Sequence, residues 1–193
     1  MSPKLQPMDS YSSSKNNFNV AHIKLCTETE GPVKRCCIWF QGCDLHCHGC
    51  CNETLQAFVP NHIMSLDKLL SVIRKAKHDF CIEGITLSGG EPTLQKALPF
   101  LLQHVHEMGL GIILFSGRTF DNIDVSIKNN VDLLIDGPFI EEQIDQERVL
   151  LGSKNKRLRF VTKRYLSQEQ YFNHPVSIEE IALGTDYIFI NGD

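Results

Sequence analysis

Short apolar runs alternate with amphipathic stretches along most of this chain, and this alternation restricts the fold more than any other feature. Six runs have the length and composition of β-strands: 35–41, 84–90, 111–117, 131–137, 157–163 and 186–191. Strands that are separated by roughly ten to fifteen helical residues predict βαβ units. The fold class is therefore α/β, with a mostly parallel sheet.

Helices are predicted between these strands. Residues 65–77 combine a serine N-cap with leucines at helical spacing. A second helix is expected over 93–109, where Pro99 should kink or interrupt it. A short helix is expected over 118–130, and a weak one over 177–182.

Glycine follows three of the predicted strands, at Gly89–Gly90, Gly117 and Gly137. The ligands of parallel α/β folds gather at the carboxyl ends of the strands. These three turns are therefore expected to face one site.

Length and composition indicate a single ordinary globular domain. The chain has 193 residues, of which 42% are hydrophobic and 22% charged, and its net charge is −4. Residues 1–18 are polar and are predicted to form a disordered or loosely ordered arm, which leaves 19–193 as the domain. The charge does not favour nucleic-acid binding, and no apolar run approaches the ~20 residues of a membrane span. We therefore expect a cytoplasmic protein without nucleic-acid or membrane partners, in which thiols stay reduced.

The most unusual segment is 42–52, with the sequence GCDLHCHGCCN. Three of its cysteines are spaced C-x3-C-x2-C: Cys43, Cys47 and Cys50. A zinc site would require a fourth ligand, and three candidates lie nearby: His46, His48 and Cys51. An iron–sulfur cluster held by three cysteines would instead leave one iron open, and the four-cysteine ferredoxin pattern is absent. The loop alone leaves zinc and a three-cysteine cluster both open.

A second motif, SGGEP, occupies residues 88–92 between a predicted strand and a predicted helix. Its Gly-Gly turn would let the backbone approach a ligand closely, and the carboxylate of Glu91 could accept hydrogen bonds from an ammonium group. Taken alone, the motif is also compatible with a plain strand-to-helix turn.

The two motifs in this order resemble the radical S-adenosylmethionine superfamily. Within it, EGPVKRCCIWFQGCDLHC is similar to the D-G-P-G-I-R…Q-G-C segment of glycyl-radical-enzyme activases, with Glu30 in place of Asp and Val33 in place of the second Gly. The later stretches LFSGRTFDNI, VDLLIDGPF and GSKNKRL look like those of anaerobic ribonucleotide reductase activating proteins. The resemblance extends from about Val20 to about Val161.

This resemblance implies a partial (β/α) barrel of about five to six units, open on one side. It also implies a 4Fe–4S cluster on the three spaced cysteines and S-adenosylmethionine on its open iron. The methionine end would be placed by Gly89, Gly90 and Glu91, with further cofactor contacts from Ser116, Gly117 and Asp136. No catalytic residue is expected beyond the cluster and the cofactor site. For Asp136, a plain turn at a strand end is the alternative.

The implied reaction is reductive cleavage of S-adenosylmethionine to a 5′-deoxyadenosyl radical, which abstracts hydrogen from a glycine of a partner enzyme. The implied partners are that glycyl-radical enzyme and a one-electron donor such as flavodoxin or ferredoxin. Two alternatives stay open: a radical enzyme that modifies a small molecule or peptide, and a non-catalytic iron–sulfur protein. The basic cluster at 154–159 could dock an acidic partner or form a solvated loop.

Cys51 takes the place after the third cluster cysteine that is commonly aromatic in the superfamily. It is expected to be a small buried apolar residue, like the cysteines outside the loop. Cys36 and Cys37 are adjacent in a predicted strand, so their side chains should point to opposite faces. Both histidines of the loop are expected to be solvated rather than ligands.

Overall fold

The computed structural model describes residues 16–173, 180–183 and 188–191. Seven strands form one sheet: β1 (Asn17–Thr27), β2 (Arg35–Phe40), β3 (His62–Ser65), β4 (Gly84–Gly89), β5 (Gly111–Ser116), β6 (Leu133–Asp136) and β7 (Arg157–Phe160). Their order across the sheet is β3-β1-β2-β4-β5-β6-β7. Two further strands, β8 (Glu180–Leu183) and β9 (Ile188–Asn191), pair antiparallel with each other.

The centre of the sheet is parallel and both of its edges are antiparallel. Strands β2, β4, β5 and β6 run parallel in adjacent pairs. Strands β1 and β3 extend one edge antiparallel, and β7 extends the other. The sheet does not close, because β3 and β7 stand at its two ends. The predicted open α/β architecture is confirmed, although its parallel part has only four strands, since the flanking strands join antiparallel.

The helices lie between the parallel strands. They are α1 (Leu66–Phe80), α2 (Leu98–Glu107), α3 (Val125–Lys128) and, after β7, α4 (Glu169–Asn173). The predicted N-cap of α1 is confirmed, because the Ser65 side chain accepts a hydrogen bond from the Lys68 amide at 3.3 Å. The helix expected over 93–109 is interrupted, as one of the two predicted outcomes, because a short 3-10 helix at Pro92–Leu94 precedes α2; a kink at Pro99 is wrong. Pro99 lies in the first turn of α2, where a missing amide costs no hydrogen bond.

The structure also differs from the predictions for the segment after β5, for residues 177–182 and for the N-terminal arm. The helix expected over 118–130 is limited to α3 and a short 3-10 helix at Phe120–Asn122. The helix expected over 177–182 is wrong at 180–182, which belong to β8, and 177–179 lie outside the described residues. Of the predicted arm 1–18, Asn17 and Phe18 belong to β1, and residues 1–15 lie outside the described part.

Different segments of the chain pack against the two faces of the sheet. On one face, Cys36, Ile38 and Phe40 of β2 join a large apolar core with α1 and α2. The other face packs against the C-terminal segment through a smaller core that contains Ile135 and Phe172. Because side chains alternate along a strand, the pattern of β2 assigns its even-numbered residues to the helical layer. The prediction for Cys36 and Cys37 agrees, since the larger core contains only the first of them.

A buried guanidinium occupies the amino end of the parallel strands. Arg35 has no exposed surface, and its Nε donates to the Thr86 hydroxyl at 2.7 Å. Its Nη1 donates to the Tyr165 hydroxyl at 2.8 Å, and its Nη2 donates to the Ile85 carbonyl. Burial lowers the pKa of Arg35, and the Tyr165 hydroxyl partly offsets that shift. The network connects β2 to β4 and to the segment before α4.

Candidate functional site

A cavity of about 540 Å³ opens at the carboxyl ends of β2, β4 and β5. Its lining includes residues of the segment 41–52, which we call the cluster loop, and of the ends of β4 and β5. Eight of the nine predicted site residues line it: Cys43, Cys47, Cys50, Gly89, Gly90, Glu91, Ser116 and Gly117. The fold therefore brings the two sequence motifs to one place.

The cluster loop is shaped by glycine and by backbone hydrogen bonds. Gly42 has a φ of +99°, a backbone conformation that residues other than glycine rarely adopt. Its amide donates to the Leu55 carbonyl at 2.8 Å, and the Cys43 amide donates to the Gln56 carbonyl at 3.0 Å. The first cluster cysteine is thus fixed by the short helical segment that follows the loop.

The glycine turn after β4 packs directly against the cluster loop. The Gly90 amide donates to the Phe40 carbonyl at 2.8 Å, and the Glu91 amide donates to the Gly42 carbonyl at 2.9 Å. A Cβ on Gly90 would lie 2.3 Å from the Gly42 carbonyl oxygen, which no real side chain could tolerate. Glycine is therefore required at position 90 for the two motifs to meet.

Glu91 lines the cavity, yet its carboxylate is held by the protein. Its Oε1 accepts hydrogen bonds from the Thr93 amide at 3.1 Å, the Thr93 hydroxyl at 2.7 Å and the Ser116 hydroxyl at 2.9 Å. Its Oε2 accepts one from the Gly117 amide at 2.9 Å. The side chain has no exposed surface. Glu91 therefore joins the turn after β4 to the end of β5, a role the sequence did not reveal.

Two polar contacts connect the cluster loop to segments that are remote in sequence. The Arg118 Nη2 donates to both oxygens of Asp44, at 2.9 and 2.7 Å, and its Nε donates to the Thr93 hydroxyl at 3.1 Å. His48 Nδ1 lies 2.5 Å from Glu141 Oε2. The loop is thereby connected to the segment after β5 and to the segment after β6.

The positions of the two loop histidines agree with the prediction that both are solvated. His46 and His48 are both exposed, and neither lines the cavity. The prediction that Cys51 is a buried filler is wrong, because Cys51 is exposed and lines the cavity. Cys81, at the end of α1, is exposed as well. Loop and helix-end positions place these thiols outside the cores.

The environments of the thiols differ. A hydrogen bond from the Cys51 side chain is the main reason that the pKa of Cys50 falls to about 5, against the effect of burial. Burial raises the pKa of Cys43. It also raises the pKa of Cys36 to about 12 and that of Cys37 well above its usual range. The strand cysteines are therefore inert apolar residues, whereas Cys50 lies in surroundings that favour its thiolate.

The lining of the cavity fits an iron–sulfur cluster. Three thiols lie on one wall, and each can bind a different iron. Gly89 and Gly90 line the same cavity, so backbone groups border it together with the thiols. Within the described residues, no three or more His, Cys, Asp or Glu side chains are grouped so that they could hold a metal ion. The fit therefore rests on the donor chemistry and on the shape of the cavity.

Asp136 is the predicted site residue that the structure does not bring to the cavity. It is buried at the end of β6, and its Oδ1 accepts a hydrogen bond from Arg159 Nε at 2.9 Å. Its Oδ2 accepts one from the Phe120 amide at 3.0 Å. The residue is absent from the cavity lining. Its contacts are those of a strand-end anchor, the alternative that the sequence left open.

Lys156 lines the cavity, although sequence reasoning placed it in a basic surface cluster. It lies just before β7, and its Cα would be 3.5 Å from a Cβ on Gly137. The available signal was its position inside the GSKNKRL stretch, but only the tertiary structure shows that it lines the cavity while Lys154 is exposed.

Known proteins share these features. A family described as "4Fe-4S single cluster domain" matches residues 29–159. The anaerobic ribonucleoside-triphosphate reductase-activating protein of Haemophilus influenzae is 32% identical over 136 residues, which cover 65% of this chain and 87% of that protein. The protein of the same name from Vibrio cholerae is 30% identical over 137 residues, with 65% and 87% coverage. The chain belongs to this family of activating proteins.

The activating-protein family confirms the resemblance seen in the sequence: the chain is a radical S-adenosylmethionine enzyme with a 4Fe–4S cluster. The crystal structure of QueE from Escherichia coli superimposes with a TM-score of 0.45 at 17% identity, over 68% of this chain and 66% of that one, a likeness too distant to bear on function. No helix in the described part of the activating protein is both long and apolar enough to cross a membrane.

Proposed function

We propose that the chain activates a glycyl-radical enzyme of the anaerobic ribonucleotide reductase type by abstracting hydrogen from a glycine of that partner. Cys43, Cys47 and Cys50 would hold the cluster, and Gly89 and Gly90 would hold S-adenosylmethionine. When bound, the reduced cluster and the cofactor together supply the carbon radical that removes the hydrogen atom.

One observation carries the proposal: the cluster loop and the Gly-Gly-Glu turn pack against each other and line a single cavity. The curated relatives named above add support, because their names state that they activate an anaerobic ribonucleoside-triphosphate reductase. A binding role alone would require the three thiols but not the glycine wall, whose backbone approaches the loop within hydrogen-bond distance.

The residues of the chain would bind the cluster and the cofactor, orient them and shield them from water. The thiols fix the position of the cluster, and the turn after β4 presents backbone groups to the amino-acid part of the cofactor. Glu91 holds Ser116 and Gly117 in register with that turn. Its predicted contact with the cofactor's ammonium group remains part of the proposal, and it would add to these bonds.

Electron delivery and cellular compartment are also proposals. We propose that a flavodoxin or ferredoxin donates the electron, and that the protein works in the cytosol. The compartment is supported by the eight free cysteines, since thiols stay reduced there.

The test is formation of a glycyl radical in a candidate partner. The full chain is reconstituted with iron and sulfide without oxygen, mixed with an anaerobic ribonucleotide reductase, a reductant and S-adenosylmethionine, and followed by electron paramagnetic resonance. We expect a radical doublet on the partner and release of 5′-deoxyadenosine in matching amount.

Cys50→Ala and Cys51→Ala form a matched pair for this assay, because the two thiols are adjacent and only the first belongs to the C-x3-C-x2-C motif. The first variant should give no doublet, and the second should retain it. If the wild-type chain transfers hydrogen only from a metabolite, with no radical on any glycyl-radical partner, the activating function is refuted.

A further inference from the structure

Lys156 is the one lysine or arginine among the cavity-lining residues of the described chain. Within residues 16–173, its ammonium group makes no hydrogen bond or ion pair. Lys156 therefore lines the same cavity as the three motif cysteines, and its ammonium group has no bonded counter-ion among the described residues.

The backbone around Lys156 is held rigidly. The guanidinium of Arg148 donates to the Lys156 carbonyl at 3.1 Å and to the Lys154 carbonyl at 2.9 Å. Asp145 fixes that guanidinium through an ion pair of 2.6 Å. The Lys156 amide donates to the Ser153 carbonyl at 3.1 Å. An anchored backbone lowers the entropic cost when the side chain binds a ligand.

The other polar groups predicted to contact the cofactor beyond the Gly-Gly-Glu turn are already used by the protein. The Ser116 hydroxyl donates to Glu91 and accepts from the Arg118 amide at 3.1 Å. The Gly117 amide donates to Glu91, and Asp136 is paired with Arg159. None of them is an available cation, whereas the carboxylate is the only anionic group that S-adenosylmethionine carries.

We propose that Lys156 binds the carboxylate of S-adenosylmethionine and so determines which sulfonium compounds the site accepts. The ammonium group has three donors and no acceptor, which matches a carboxylate and excludes the cofactor's own ammonium. This inference rests on the proposed cofactor site, and it adds to that site a residue from the loop before β7.

The experiment compares two ligands on four forms of the reconstituted, unreduced full chain. S-Adenosylmethionine and its decarboxylated analogue are titrated by anaerobic calorimetry into wild type, Lys156→Met, Lys156→Arg and Lys154→Met. Lys154 is the matched control, since it is exposed two residues away and outside the cavity lining. Iron content and the circular dichroism spectrum of every form are recorded first.

In wild type and Lys154→Met, loss of the carboxylate should weaken binding strongly. In Lys156→Met, the ratio between the affinities for the two ligands should be about tenfold to a hundredfold smaller than in wild type. The reason is that neither ligand can then form the charge-assisted hydrogen bond. Lys156→Arg should keep most of the discrimination, because a guanidinium also binds a carboxylate. If Lys156→Met loses iron, Lys156→Gln takes its place, because glutamine is polar but carries no charge.

Discrimination that is equal in Lys156→Met and wild type overturns the assignment of Lys156 while leaving the cofactor site intact. Equal discrimination in iron-loaded Lys156→Gln and wild type counts against the assignment in the same way. If the wild type binds neither ligand, the proposed function fails together with this inference.

Discussion

Glu91→Gln tests whether the buried carboxylate holds the two strand ends together. The substitution keeps the shape of the side chain but removes its charge and replaces one acceptor oxygen with an NH2 group. Three donors converge on Oε1, and the Gly117 amide alone faces Oε2. The most favourable orientation of glutamine therefore keeps its oxygen at the Oε1 position and turns its NH2 group toward the Gly117 amide.

That orientation leaves the Gly117 amide without its partner and makes the remaining three bonds neutral. A hydrogen bond to a charged group contributes about 1.5–3 kcal/mol, against about 0.5–1.5 kcal/mol for a neutral one. The free energy of unfolding should accordingly fall by about 2–4 kcal/mol. Ser116→Ala should lower it by about 1–2 kcal/mol, and the two changes together should cost less than their sum, because Glu91→Gln has already weakened the bond that Ser116→Ala removes.

Urea unfolding of the metal-free, reduced chain measures this, with circular dichroism as the signal and linear extrapolation to water. Glu83→Gln is the control, because Glu83 is exposed and its side chain accepts none of the hydrogen bonds found in the described part of the chain. That variant should change stability by less than about 0.5 kcal/mol. A loss for Glu91→Gln no larger than the control's would refute the bridging role of the carboxylate.

Three further predictions follow from other parts of the molecule. Single changes of Cys43, Cys47 or Cys50 to Ala should abolish full iron loading after anaerobic reconstitution, whereas Cys51→Ala should keep it; an iron count on each form decides. Tyr165→Phe should lower the free energy of unfolding by about 1.5–3 kcal/mol, because it removes a bond to the buried Arg35 guanidinium, and a urea midpoint equal to wild type would contradict this. The pKa of Asp145 lies below its ordinary value because hydrogen bonds from Glu147 and Arg148 outweigh the opposing effect of burial. Its contribution to stability is therefore present above about pH 4 and is lost as the pH falls through the depressed folded value, so Asp145→Asn should lower the urea midpoint at pH 7 and flatten its acid dependence.

Local patterns were enough to predict the centre of the fold. The strands that carry Gly89 and Gly117, and the helix that starts after Ser65, depend on apolar spacing and capping within a few residues. The edge strand β3 was missed because it is only four residues long and mostly exposed. Pro99 was misjudged, since its effect depends on where the helix begins.

The site shows the same division between local and distant information. Cys43, Cys47 and Cys50 share one short loop, so their spacing alone indicated a metal centre. Asp136 and Lys156 could not be assigned in this way. Which of them faces the cavity is decided by contacts with Arg159 and Arg148, which no short motif contains.

The central claim is that three cysteines of the chain hold a cluster whose remaining iron takes the cofactor. Mössbauer spectroscopy of the chain reconstituted with iron-57 tests it most directly, with spectra recorded before and after addition of S-adenosylmethionine. A 4Fe–4S cluster with three thiolate ligands should show one iron that differs from the others, and only that iron should change its parameters when the cofactor binds. Four equivalent irons whose Mössbauer parameters do not change when the cofactor is added would contradict the claim, as would zinc in the anaerobically purified chain.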